Sequence, residues 1–78
     1  MPVEPQWRRL ANHLRLQMAS GELRPGDQLP STDQLREQHR VATSVVRQAI
    51  LALQAQGFVQ GVPGLGVFVA DRDEIAGS

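Results

Sequence analysis

The stretch STDQLREQHRVATSVVRQAILALQAQG, Ser31 to Gly57, predicts two helices joined by a tight turn. Ser31 with Gln34 three residues later forms a capping-box pattern, so we expect the first helix to run from about Thr32 to His39. The second helix is indicated by apolar residues at helical spacing and by Gly57 as its stop. These residues are Val46, Ala49, Ile50 and Leu53. Two short helices joined this closely are typical of a helix-turn-helix.

Another helix is predicted upstream of this pair. Apolar residues recur at helical spacing after Pro5, and the pattern ends at Ser20 and Gly21. They are Trp7, Leu10, Ala11, Leu14 and Met18. The segment that follows, GELRPGDQLPS, contains two prolines and two glycines, which predict a rigid turn. We expect a short extended piece within it, at Gln28 and Leu29.

Downstream of the pair, two strand-like runs, Phe58 to Gln60 and Val67 to Val69, flank the glycine-rich GVPGLG. A glycine-rich loop that binds a phosphate group needs a helix after it, so that the helix N-terminus faces the anion. A strand-like run follows here, and we therefore interpret GVPGLG as a hairpin tip. The expected fold is mainly α with a small β-hairpin (α+β): a winged helix-turn-helix of three helices followed by a two-stranded wing.

Composition excludes several classes of protein. The 78 residues contain no cysteine, and two histidines alone cannot complete a zinc site, so we expect no metal and no cofactor. The sequence offers no paired nucleophile and base, and we expect no enzyme activity. It also lacks a run of about 20 apolar residues and the apolar segment of a signal peptide. We therefore expect a cytoplasmic protein that has no membrane partner.

Charge is unevenly distributed along the chain, although the formal net charge is zero. Between Trp7 and Ala70 seven arginines stand against four acids, which gives 7 − 4 = +3. Every cationic side chain is a guanidinium, a group well suited to phosphate and guanine. We expect residues 1–70 to form one domain, and residues 71–78 to be an acidic tail or the start of a linker. The charge permits a nucleic-acid partner but does not require one.

Three segments together resemble the DNA-binding domain of the GntR family of bacterial transcription regulators. They are SGELRPGDQLPS from Ser20, QLREQHRVATSVVRQAI from Gln34 and LQAQGFVQGVPGLGVFVA from Leu53. The resemblance implies a repressor or activator that binds double-stranded DNA, with the third helix in the major groove and the wing on the adjacent backbone or minor groove. It also implies a palindromic operator and a homodimer formed through a C-terminal effector domain. We expect the chain to be either a fragment of such a regulator or a naturally minimal one.

The resemblance assigns contacts to individual positions. Ser31 and Thr32 would hold a phosphate at a helix N-terminus, Ser44 would reach a phosphate or a base edge, and Arg47 would bind guanine or phosphate. Other expected contacts lie in the first turn of the third helix and at the wing tip, where glycines would allow close approach to the duplex. They are Thr43, Val45, Gly64, Leu65 and Gly66.

Two of these residues have alternative interpretations. Val45 stands where the family commonly has threonine, and it either faces a thymine methyl group or is an ordinary, partly packed apolar residue. Leu65 stands where a basic residue is common, and it either presses into the minor groove, contacts another protein or is simply exposed. If Leu65 contacts another protein, the alternative function is a winged-helix module for protein-protein contact with weak or lost DNA binding.

Other departures from the family weaken the expected DNA contact. Asp33 replaces a common arginine and would repel phosphate, and Gly61 replaces a common basic residue. Arg40 stands where glycine is common for a left-handed backbone, at a cost of about 1 kcal/mol. Because Ala42 is a poor cap, we expect Thr43 to cap the third helix. His39 is interpreted as a partly buried residue rather than a pH sensor.

Overall fold

The computed structural model describes residues 4–70, which form three helices followed by an antiparallel hairpin. The helices are α1, Gln6–Ser20; α2, Thr32–His39; and α3, Thr43–Ala55. The strands are β1, Val59–Val62, and β2, Gly66–Val69. This order confirms the predicted winged helix-turn-helix. The predicted acidic tail, residues 71–78, lies outside the described residues.

Local chemistry fixes both ends of α1 and the start of α2. The N-terminus of α2 carries the predicted capping box: the Gln34 amide donates to Ser31 Oγ at 3.1 Å, and the Ser31 amide donates to Gln34 Oε1 at 2.9 Å. Pro5 occupies the N-cap of α1, and Gly21 ends that helix with a φ of 90°, a conformation that glycine adopts without steric cost.

The turn between α2 and α3 departs from ideal chemistry at two positions. Arg40 has φ 54° and ψ 51°, as expected, and it is the one non-glycine residue with a positive φ within residues 4–70. The prediction that Thr43 caps α3 is wrong. Ala42 holds the N-cap position in extended conformation, and no side chain caps the helix. The Ala42 carbonyl already accepts from the Val45 amide at 3.0 Å, which makes Thr43 the first helical residue.

A single core lies between the helices and the base of the hairpin. It contains the predicted apolar faces of all three helices, and Leu14, Leu35, Val46 and Leu53 are almost completely buried. Trp7 and Ile50 pack against this core while remaining partly exposed. The buried residues that form this core cluster are Leu10, Ala11, Leu14, Leu29, Leu35, Val46, Ala49, Leu53, Val59 and Val69.

The wing is longer than the sequence predicted, and its tip is shorter. The strands pair from Val59 with Val69 to Val62 with Gly66, so only residues 63–65 form the tip and Phe58 precedes β1. At its end, α3 turns through Gly57, which has a φ of 82°, and the Phe58 amide donates to the Leu53 carbonyl at 2.9 Å. This Schellman arrangement uses the carbonyl groups that the helix leaves unpaired.

The connector between α1 and α2, residues 21–31, pairs with the edge of β2 that faces away from β1. The Leu29 amide donates to the Val67 carbonyl and the Val69 amide donates to the Asp27 carbonyl, both at 2.8 Å. The predicted extended piece at Gln28 and Leu29 is therefore confirmed, and Gln28 forms a β-bridge with Phe68. As a result, β2 has a partner on each side, and the wing is joined to the connector as well as to α3.

Candidate nucleic-acid interface

The face of α3 that points away from the core carries the polar residues expected to contact DNA. Ser44 and Arg47 are exposed, whereas Thr43 and Val45 are half-buried in the first turn. No hydrogen bond or ion pair within residues 4–70 engages the Arg47 side chain. Its guanidinium thus keeps all its donors free for a ligand.

The N-terminus of α2 forms a second polar surface. Ser31 is exposed and Thr32 is half-buried. Ser31 caps the Gln34 amide, whereas the Thr32 and Asp33 amides have no acceptor within residues 4–70, and the helix dipole adds a partial positive charge there. Both features favour a phosphate group at this end of α2.

An ion pair lies beside the N-terminus of α2. Arg36 Nη2 is 3.4 Å from Asp33 Oδ1, and the Asp33 side chain is 81% exposed. The carboxylate would oppose an approaching phosphate, and it engages Arg36, the one arginine of α2. The departure noted at Asp33 therefore reduces positive charge at two positions.

At the wing tip, two glycines and a leucine occupy the predicted contact positions. Gly64 has a φ of 80° with open space around it, and Leu65 is 65% exposed. Gly66 has a φ of 125°, and a Cβ there would lie 2.6 Å from Gln28 Nε2. The need for glycine at position 66 thus has a cause within the fold, independent of any approach to a duplex.

Sequence reasoning missed Gln28 itself. Its side chain donates a hydrogen bond from Nε2 to the carbonyl oxygen of Leu65 at 2.8 Å. Nothing local marks this glutamine, because its partner is 37 positions away and is a backbone group. Only the paired geometry of the connector and the wing shows the contact.

Within residues 4–70, no three acidic or histidine side chains form a group that could hold a metal ion. None of the helices in that part of the chain is long and apolar enough to cross a membrane. A cavity of about 300 Å³ opens between α1 and the turn that precedes α3. Its lining residues are Gln6, Arg9, Leu10, His13, His39 and Val41.

Known proteins are similar to this chain in both sequence and fold. Residues 6–69 match the family described as bacterial regulatory proteins, gntR family. Over 72 residues the chain is 37% identical to the mannosyl-D-glycerate transport/metabolism system repressor MngR of Escherichia coli (strain K12), covering 92% of this chain and 30% of that protein. Over 52 residues it is 42% identical to the HTH-type transcriptional regulator LutR of Bacillus subtilis (strain 168), covering 67% of this chain and 24% of LutR. The chain thus spans less than a third of the length of these curated relatives.

A solved structure shows the same architecture. The DNA-binding domain of AraR, crystallised in complex with an operator, superposes with a TM-score of 0.84 at 28% identity, covering 87% of this chain and 82% of the other. The family match and this superposition cover the same helices and wing. The chain is therefore a winged helix-turn-helix domain that belongs to the GntR family of bacterial regulatory proteins.

Proposed function

We propose that this chain binds duplex DNA sequence-specifically as the DNA-binding domain of a bacterial transcription regulator. The observation that carries the proposal is the exposed, internally unpaired Arg47 on α3, in a fold shared with an AraR domain crystallised on an operator. In the proposed complex α3 lies in the major groove and the wing follows the adjacent backbone or minor groove.

The residues of the two helices divide the work between positioning and base reading. Ser31 and Thr32 hold a phosphate at the N-terminus of α2, and Ser44 reaches a phosphate or a base edge. Arg47 reads guanine, because its fork of donors matches the O6 and N7 acceptors. Thr43 and Val45 complete the surface of the first turn of α3.

At the wing, backbone and apolar surface replace the missing basic side chains. Gly64 lies in open space, so its peptide groups can approach the duplex closely. Leu65 presents an exposed apolar side chain beside it, and Gly66, the first residue of β2, directly follows the tip. Contacts of this kind respond to the width of the minor groove more than to phosphate charge.

We also propose that two copies act together in the cytoplasm on a palindromic operator. A single domain offers few free cationic groups, and in this class of fold the symmetry of the operator matches that of a dimer. The relatives are more than three times as long as the segment that matches, which leaves room in those proteins for a part that dimerises. Residues 71–78 then serve as the start of a linker to such a part.

The test is selection from a randomised duplex library at low salt, about 50 mM, where charge contacts are least screened. Wild type, Arg47→Ala and Arg15→Ala are compared, each also as a fused dimer. Arg15 is a matched control for the loss of charge, because its guanidinium stacks on Phe58 at 5.3 Å and takes no part in the proposed interface. We expect one motif to be selected by wild type and Arg15→Ala and lost in Arg47→Ala. A fused wild-type dimer that enriches no motif would contradict the proposal.

One observation favours a second candidate function, docking to another protein. Leu65 is 65% exposed at the end of a projecting hairpin, and neighbouring positions carry no charge. If this is the main role, Arg47→Ala leaves binding to the partner unchanged and Leu65→Ser abolishes it. The same library selection separates the two functions, since a docking module enriches no duplex.

A further inference from the structure

Gln28 connects two parts of the domain that are distant in sequence. Its backbone lies in the connector before α2, where Leu29 and Asp27 on either side hydrogen-bond to β2. The Gln28 backbone is therefore fixed against Phe68, at the base of the wing. From this fixed position the side chain extends along the hairpin to its tip.

At the tip, the Gln28 amide meets a backbone group of the wing. Nε2 donates to the Leu65 carbonyl oxygen at 2.8 Å. Gly66 leaves the space that the amide occupies, since any Cβ at that position would lie 2.6 Å from Nε2. The contact is thus specified from both ends, by the length of the glutamine and by the absence of a side chain at position 66.

A second glutamine lies over the opposite face of the hairpin and makes a different contact. Gln54, in the last turn of α3, places its Nε2 where a Cβ of Gly61 would be only 2.8 Å away. Gly61 pairs with Val67 and Gly66 pairs with Val62, so positions 61 and 66 face opposite sides of the hairpin. Within residues 4–70 the Gln54 side chain packs without a hydrogen bond. Gln54 therefore provides a matched comparison for the hydrogen bond of Gln28.

We propose that Gln28 is a positioning residue that holds the wing tip at the angle at which it meets the duplex beside α3, an inference that rests on the proposed function. The backbone hydrogen bonds between the connector and β2 reach only as far as Val67, so residues 63–65 lie beyond them. Among residues 4–70, no other side chain outside the wing hydrogen-bonds to its tip. A tip held in place before binding loses less conformational freedom when it reaches DNA, and this preserves affinity.

The experiment compares Gln28→Met with Gln54→Met, two substitutions that keep side-chain length and remove the amide. In the free protein, ¹⁵N relaxation of Gly64, Leu65 and Gly66 reports the order of the tip. Binding is measured by fluorescence anisotropy on the duplex that wild type selects, well below the unfolding midpoint of each variant. Hydroxyl-radical footprinting then maps the protected sugars.

We expect Gln28→Met to lower the order of the tip and to weaken binding about two- to tenfold, because the tip must then be ordered on binding, at a cost no greater than about one hydrogen bond. In Gln28→Met, the sugars that the wing covers should lose protection, while the sugars beside the bases that α3 reads should keep it. Gln54→Met should leave both regions protected. Unchanged tip relaxation in Gln28→Met would overturn the inference that Gln28 holds the wing tip in place. A mobile tip with unchanged affinity and footprint would overturn its role in positioning. If wild type selects no duplex, both the proposed function and the role of Gln28 in DNA binding are overturned. The relaxation data would still show whether Gln28 holds the wing tip in the free protein.

Discussion

The rings of His13 and His39 meet edge to face, with centroids 4.9 Å apart and planes at 72°, and this contact joins α1 to the last turn of α2. Burial, and then the charge of His13, lower the pKa of His39 below its ordinary value of 6.5. His39 is half-buried, as the sequence predicted, and Arg9 lines the same cavity. The contact is therefore most favourable when the imidazole of His39 is neutral.

Acid should destabilise the domain through this pair. Because the folded chain binds a proton at His39 less tightly than the unfolded chain does, the stabilisation is fully present above pH 6.5 and is lost as pH falls through the lower folded pKa. We expect the urea midpoint to fall between pH 8 and pH 5, and to fall less in His39→Gln. Equal pH dependence in the two proteins would assign the acid sensitivity to other groups.

Replacing Arg40 with glycine should stabilise the domain. Arg40 has a φ of 54°, where a side chain costs about 1 kcal/mol and glycine does not. For a domain of this size that corresponds to a rise of about 4–8 °C in Tm, reduced by the greater freedom of glycine in the unfolded chain. Differential scanning calorimetry measures the change, with Arg36→Gly, inside α2, as the destabilised control. An unchanged or lower Tm would mean that Arg40 makes contacts that offset its strain.

Removing the Asp33 carboxylate should strengthen DNA binding. In Asp33→Asn the repulsion of phosphate disappears and Arg36 is released from its 3.4 Å ion pair. We expect wild type to show a slope of log K against log salt shallower than about −6, and the variant to be steeper by about 0.9, one phosphate contact. Glu22→Gln, a similar change in the turn after α1, should leave the slope at the wild-type value. Equal slopes for Asp33→Asn and wild type would place the start of α2 outside the interface.

The two wing glycines should differ in their tolerance of alanine. Gly66→Ala places a side chain at φ 125° and against Gln28, so we expect a loss of about 1–3 kcal/mol. Gly61→Ala meets only the far end of the Gln54 side chain, which can rotate away, and should cost much less. Urea unfolding of both variants checks this order. Equal losses would show that Gln54 cannot move, or that position 66 relaxes.

The parts of the fold that were predictable from the sequence depend on local chemistry. Ser31 and Gln34 are three residues apart and cap each other, so the start of α2 follows from the sequence alone. The prediction failed where neighbouring residues competed, as at the start of α3: Thr43 is the better cap chemically, but the helix begins at Thr43 itself. The role of Gln28 could not be predicted, because its partner is a backbone carbonyl 37 positions away. Every residue has such a carbonyl, so no residue type in the sequence marks the contact. The candidate contact residues came from the family resemblance, and their roles on DNA stay predictions.

The pairing of the connector with β2 also determines when the fold can be completed during synthesis. All three helices leave the ribosome before Val67 and Val69, yet Gly26 and Leu29 find their backbone acceptors only on those two residues. A nascent chain that ends at Gly57 contains the sequence of all three helices but not the strand that pairs with the connector. Contacts of such long sequence separation form late. The hairpin, which emerges after the three helices, therefore pairs with a segment of the domain that was translated before α2 and α3.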